Sequence, residues 1–209
     1  MRTIRDNIIS LDLEPGSPFN DMEMSQHIGI SRTPVREAVI QLSEESRIIE
    51  IFPQRGMRIA LIDVELVEEA RFLRLVLEKA AAELVCDMAG EEDLAWLEEN
   101  IMLQEFYMER GSSGKLLDLD NEMHRKLFTI CKKELTYNMC QRLAVHYDRI
   151  RSLSVAMVKD YKIIEDHKKL LQALKARDKH LAVDTMDKHL NRWMMNEQMF
   201  RAQYPQYFK

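Results

Sequence analysis

Apolar residues along most of this chain recur at helical spacing, and the segment from 31 to about 47 shows it plainly. Val35, Ala38, Val39 and Leu42 fall at i, i+3, i+4 and i+7, one core-facing stripe. Ser31 or Thr33 can cap this helix, and Pro34 suits a first turn whose N–H groups have no helical partner. Upstream, residues 3–10 predict a short helix closed by the turn Leu13-Glu14-Pro15-Gly16. A second helix opens at Asp21 and stops at Gly29. Downstream the period shortens. Ile48–Phe52 and Met57–Leu61 are β-rich runs around Pro53-Gln54-Arg55-Gly56, the pattern of a hairpin.

From residue 63 onward the helical period returns and persists. Amphipathic segments are expected at about 63–88, 91–110, 115–132, 135–157, 160–176 and 179–202, with Asp63 capping the first and Gly90, Gly111 and Gly114 marking breaks. Of the 11 Gly and Pro residues, seven fall in the first 56 positions, so turns crowd the front of the chain. The expected fold is mainly α: an N-terminal winged helix-turn-helix of three helices and a two-stranded β wing over 1–62, then an all-α bundle of about six helices over 63–209.

Composition narrows the class. The 209 residues carry 30 Lys+Arg against 35 Asp+Glu, a net charge of −5. No window approaches the roughly 18 apolar residues of a membrane helix, and MRTIRDNIIS lacks the apolar stretch of an export signal. Cys86, Cys131 and Cys140 cannot all pair with one another. A protein of the reducing cytoplasm with no membrane partner is expected. Residues 1–62 hold 7 Lys+Arg and 9 Asp+Glu, so any affinity for nucleic acid must come from local placement.

That placement is visible on the third helix. At 100° per residue, Arg32, Ser43, Arg36 and Arg47 share a sector of ~60° beside the core stripe, while Glu37 and Glu44 point elsewhere. Two guanidinium forks at i and i+4 near a helix N-terminus suit phosphates and guanine edges in a major groove. The same pair would also sit comfortably on a solvated face. Arg55, at the hairpin tip, can reach an adjacent groove or simply face water.

Behind residue 63 a few polar residues fall on the wrong face. Asp120 and His124 lie mid-arc among Leu116, Met123 and Leu127; His167 lies among Ile164, Leu170 and Leu171; His189 lies between Ala182 and Met186. Such groups cost several kcal/mol in a core unless paired or coordinated. They suit either a hydrogen-bonded polar network or a divalent transition-metal site. His146 also lies on an apolar stripe, and spacing does not separate it from the others. Arg74 is central to the arc of Val67, Ala70, Leu77 and Ala81. It can pair locally with Glu78 or hold the carboxylate of a small organic acid, a role for which Arg149 is a second candidate.

Ser31-Arg32-Thr33-Pro34-Val35-Arg36-Glu37-Ala38 resembles the signature of the GntR family of bacterial winged-helix repressors, with Pro15-Gly16 and Gln54-Arg55-Gly56 at matching offsets. The resemblance implies that Arg32 and Arg36 contact double-stranded operator DNA, that Thr33 holds a phosphate, and that the tip at Arg55 and Gly56 enters the minor groove. Some relatives carry a further arginine where this chain has Met22. Residues 63–202 resemble the ligand-sensing FCD domain of the FadR subgroup. Its metal-binding members carry Asp-x3-His on one helix and two histidines 22 positions apart on the last two, which Asp120, His124, His167 and His189 match. The resemblance therefore implies a zinc, nickel or manganese ion and leaves His146 to line the effector pocket or to support a metal ligand from behind.

The function expected is a homodimeric, metabolite-responsive transcription regulator of the repressor kind, with no catalytic residues. The alternative is a mononuclear metal-dependent enzyme acting on a small organic acid. Against it, the chain has no HExxH, no Glu-x-x-His pair for a di-metal bundle, and no placeable nucleophile triad.

Overall fold

The computed structural model describes residues 4–158 and 162–209. Thr3, Asp160 and Tyr161, which fall inside expected helices, lie outside the described residues. The front unit is built from α1 (Ile4–Ile9), β1 (Pro18–Phe19), α2 (Asp21–Ile28), α3 (Arg32–Ser46), β2 (Ile49–Phe52) and β3 (Gly56–Ile59). Asn20 caps α2 by accepting from the amides of Met22 and Glu23, and Gly29 ends it at φ 76°.

The sheet differs from the expected two-stranded wing. It has three antiparallel strands in the order β1-β3-β2, because Pro18 and Phe19 pair with Arg58 and Met57. Two residues are too few to carry a strand period. Gly16, at φ 81°, makes the approach: its amide donates to the Ile59 carbonyl, and a Cβ there would come within 3.1 Å of Leu61.

The larger unit comprises α4 (Val64–Met88), α5 (Glu91–Glu109), α6 (Ser113–Ile130), α7 (Glu134–Val158), α8 (Lys162–Lys175), α9 (Lys179–Asn191) and α10 (Glu197–Gln203). Asp63 accepts from the Glu65 amide and caps α4. Gly114 lies inside the first turn of α6, and Gly111, at φ 67°, makes the break before it. The final expected helix is interrupted by a 3₁₀ turn at Arg192–Met195. Asn191, at the end of α9, is held from both sides: its amide donates to Asp187 and its oxygen accepts from Arg71. Asparagine favours such helix ends over helix interiors.

Among the described residues, three cores hold these elements together. Val85, Leu97, Met123, Leu127, Leu174 and Met186 belong to the core of the bundle. Ile8, Val35, Val39, Ile48 and Ile59 form the core of the front unit, which Val145 of α7 completes. The third core gathers Ile62, Val67, Ile150, Phe200 and Phe208 where the units meet. There the chain end locks the connection: Ile62 bridges in parallel to Phe208, and Lys209 pairs with Asp63 at 3.0 Å. The three cysteines are buried and free. Among the described residues, no helix is long and apolar enough to cross a membrane.

Candidate functional site

One candidate face lies on the outside of α3. Arg32, Thr33, Arg36, Arg55 and Gly56 are all exposed. The first three line a shallow groove of about 240 Å³ together with Glu37 and Ile40, so Glu37 does not turn away from the arginines as its position on the helical wheel suggests. Ser31 begins the helix without a side-chain cap, leaving the first-turn amides to other acceptors. Arg32 is oriented by Asp21 at 2.9 Å, a carboxylate that is itself buried. Arg47 leaves this face: it ends α3 in the left-handed region at φ 55° and lines a different hollow.

The second candidate lies inside the bundle, where α6, α8 and α9 bring Asp120, His124, His167 and His189 together. One donor atom from each lies within 4.8 Å of the others. His189 Nε2 is 3.2 Å from His124 Nε2 and 3.4 Å from His167 Nε2. Asp120 reaches His167 Nε2 at 3.4 Å and His124 Nε2 at 3.6 Å. Ligand atoms about 2.0–2.2 Å from one ion stand roughly 3–3.5 Å apart, so this spacing suits one transition-metal ion.

The outer nitrogens explain why the inner ones face one another. His167 Nδ1 donates to Gln104 Oε1 at 2.8 Å, and Gln104 is fixed in turn by donating to Asn100 at 2.7 Å. Glu78 Oε2 lies 2.5 Å from His124 Nδ1. With its Nδ1 proton directed to Gln104, His167 presents an Nε2 lone pair to the centre. Burial, reinforced by neighbouring positive charge, pushes His167 well below the ordinary histidine range, and burial does the same to His189. Neutral imidazoles whose lone pairs converge repel one another and favour a cation between them. The donor set therefore fits a divalent transition metal.

Beside this centre lies a cavity of about 40 Å³, whose lining includes Arg74, Asp120, Arg151, Arg192 and His189. Both readings of Arg74 meet here. Its Nε donates to Glu78 at 2.6 Å, and its guanidinium lies over Tyr147, 5.1 Å from the ring centroid. Nη1, 3.9 Å from Asp148, has no hydrogen bond among the described residues. Burial opposes both charges, yet the pair outweighs it: Glu78 is held down to about 2, and Arg74 is held above its ordinary value by Glu78 and Asp148. Arg151 donates to Asp120, and to Asp148 at 2.7 Å.

The structure does not bring His146 and Arg149 to this cavity. Both project from α7 into the seam with the front unit, where His146 Nε2 donates to the Ser46 carbonyl at 2.6 Å and Arg149 Nη2 to the Ala60 carbonyl at 2.5 Å. Their inward direction agrees with the helical period, but their neighbours come from the front of the chain. Asn100, Gln104, Asp148 and Arg151 were not anticipated. Asn100 and Gln104 are buried beside Leu97, Ile101 and Met108, but exposed apolar residues on the other side of α5 hide that arc in the sequence.

Residues 1–59 match the family described as bacterial regulatory proteins, gntR family, and residues 69–192 match the FCD domain. The chain is 29% identical over 208 residues to the HTH-type transcriptional repressor RspR of Escherichia coli K12, covering 99% of this chain and 91% of that one. The solved structure of E. coli McbR superposes with a TM-score of 0.81 at 21% identity, covering 96% of this chain and 94% of McbR. A GntR transcriptional regulator from Rhodococcus sp. RHA1 superposes with a TM-score of 0.73 at 18% identity, covering 99% and 95%. At these identities the two structures show a shared fold.

Proposed function

Since this chain belongs to the GntR family of bacterial regulatory proteins and carries an FCD domain, we propose that it is a homodimeric, cytoplasmic, metabolite-responsive repressor with a metal-centred sensor. The relatives and fold neighbours are transcriptional regulators, so the chain is a DNA-binding regulator and not an enzyme. Repression is suggested by the name of RspR.

In this reading residues 1–62 read the operator. Arg32 and Arg36 reach base edges and phosphates, Thr33 holds a phosphate, and Arg55 with Gly56 enters the minor groove. One such unit reads only half of an operator, and a two-fold dimer supplies the other half.

Residues 63–209 form the sensor. Asp120, His124, His167 and His189 would hold zinc, nickel or manganese, and the bound ion would supply concentrated positive charge beside the cavity. Arg74 would offer its free Nη1 to the carboxylate of a small organic acid. The observation that carries this reading is the convergence of three Nε2 atoms and one carboxylate with the outer nitrogens oriented by Gln104 and Glu78. His146 and Arg149 stay in the seam, where α7 joins the sensor to the end of α3 and to the strand end after β3. An acid whose affinity differs by a few kcal/mol between two dimer arrangements suffices to switch operator binding.

Fluorescence anisotropy with DNA from upstream of the chain's own gene tests the proposal, using metal-stripped and metal-restored protein. Nanomolar binding that restored metal and a small acid together modulate is expected. Binding that neither ever changes would overturn the sensor reading.

A further inference from the structure

Charge and size around the metal candidate restrict the acid. Resting on the sensor reading above, we infer that the effector is a short aliphatic monocarboxylate of about two to four carbons, rather than a dicarboxylate or a larger acid.

Three arginines that line the cavity are already balanced. Arg74 pairs with Glu78 at 2.6 Å, Arg151 with Asp148 at 2.7 Å, and Arg192 with Asp166 through Nε at 3.0 Å. Burial raises the Asp148 carboxyl, while the positive charges of Arg74 and Arg5 oppose the rise. What is left is Asp120, one negative charge against the two positive charges of a divalent ion. The net charge is +1, and one carboxylate neutralises it. A dianion would leave an uncompensated negative charge beside the buried Arg74, Asp120 and Asp148, an expensive arrangement.

The cavity itself argues in the same direction. Its volume of about 40 Å³ holds roughly three water-sized spheres at 10–15 Å³ each, so the ligand is compact. Much of the remaining wall is aliphatic, from Leu116, Leu117, Val155, Ile163 and Leu190, beside Tyr147 and Ser154. A second carboxylate placed against that wall would lose its water and gain no donor. A methyl or ethyl tail would bury apolar surface there. Arg74 Nη1, which has no hydrogen bond among the described residues, suits a carboxylate seated in the cavity.

The experiment is calorimetry on full-length, metal-loaded protein. Acetate, propionate, butyrate and hexanoate are titrated in parallel with succinate and glutarate, and metal content is determined on the same samples. The expected result is tightest binding for the three- and four-carbon monocarboxylates, about tenfold or more over succinate, with hexanoate weak. Ile163→Ala should widen the apolar end and move the optimum to a longer chain without changing metal content. A dicarboxylate that binds as tightly as propionate, or affinity independent of chain length, overturns this inference while leaving the metal sensor intact. Protein that takes up no metal overturns the sensor reading itself. Should Ile163→Ala fail to fold, the wild-type series decides alone.

Discussion

Arg149 donates through Nη2 to the Ala60 carbonyl at 2.5 Å, so α7 holds the strand end of the wing by a guanidinium that is completely buried. Its Nε and Nη1 make no hydrogen bond among the described residues, and burial alone pulls its pKa down to about 10. A buried charge with no counter-charge costs several kcal/mol. Arg149→Met keeps the packing and removes that cost but leaves the Ala60 carbonyl unpaired, so it should lose less than about 2 kcal/mol. Arg149→Ala leaves a hole and an orphaned carbonyl and should lose about 2–4 kcal/mol. Urea unfolding of both variants measures the contrast. Equal losses would mean that the charge is not the costly component of this seam.

His146 stands three positions before Arg149 and donates to Ser46, the last residue of α3, at 2.6 Å. Burial pushes it down to about 4; Arg149 and Arg47 add to the depression, while the Ser46 carbonyl and Asp63 oppose it. In the unfolded chain the imidazole takes its proton near pH 6.5. Between those values the unfolded state binds more protons, so the contribution is complete above about 6.5 and shrinks as pH falls towards 4. At ~1.4 kcal/mol per pH unit the loss reaches at most roughly 3 kcal/mol. Unfolding free energies from pH 7.5 to 4.5 should fall more steeply for the wild type than for His146→Gln. Parallel curves would show that His146 is not buried in neutral form.

Helical periodicity located much of this molecule because one buried stripe per helix is a strong signal. Asp120, His124, His167 and Arg74 stood out because each interrupts such a stripe. Asn100 and Gln104 escaped notice because α5 has apolar residues on its exposed side too, among them Met102, Leu103 and Phe106, so no clean arc frames them. Period tells that His146 and Arg149 point inward; it carries no information on partners about 100 and 89 positions away. The β1 strand was invisible because its two residues pair only through tertiary closure around Gly16.

On the DNA face, Arg32 and Arg36 should separate in an instructive way. Arg36→Ala removes an exposed fork and should lower operator affinity about ten- to a hundredfold while leaving thermal stability unchanged. Arg32→Ala should weaken operator binding similarly and also lower the melting temperature, since it leaves the buried Asp21 carboxylate without its ion pair. Arg55→Ala should weaken binding less and reduce the salt dependence by about one phosphate contact. Titrations at several salt concentrations, with melting curves on the same proteins, distinguish the three. Unaltered affinity in Arg36→Ala would remove α3 from the interface.

The metal reading is tested most sharply one layer out, at Gln104. Its Oε1 accepts from His167 Nδ1 while its amide donates to Asn100, which itself donates to the Leu119 carbonyl at 3.1 Å, so the α5–α6 packing sets the proton position on His167. Gln104→Leu keeps the volume but leaves the buried Nδ1–H without an acceptor. The imidazole then gains by moving its proton to Nε2, where it blocks the metal. Metal affinity should fall about 10–100-fold with the fold intact, whereas His167→Ala should abolish stoichiometric binding. Competition against a chelator of known affinity, with circular dichroism as the check on folding, reads both. Wild-type affinity in Gln104→Leu would mean that the ion alone dictates the tautomer; wild-type metal content in His167→Ala would mean that His167 is no ligand and the four residues are a hydrogen-bonded core.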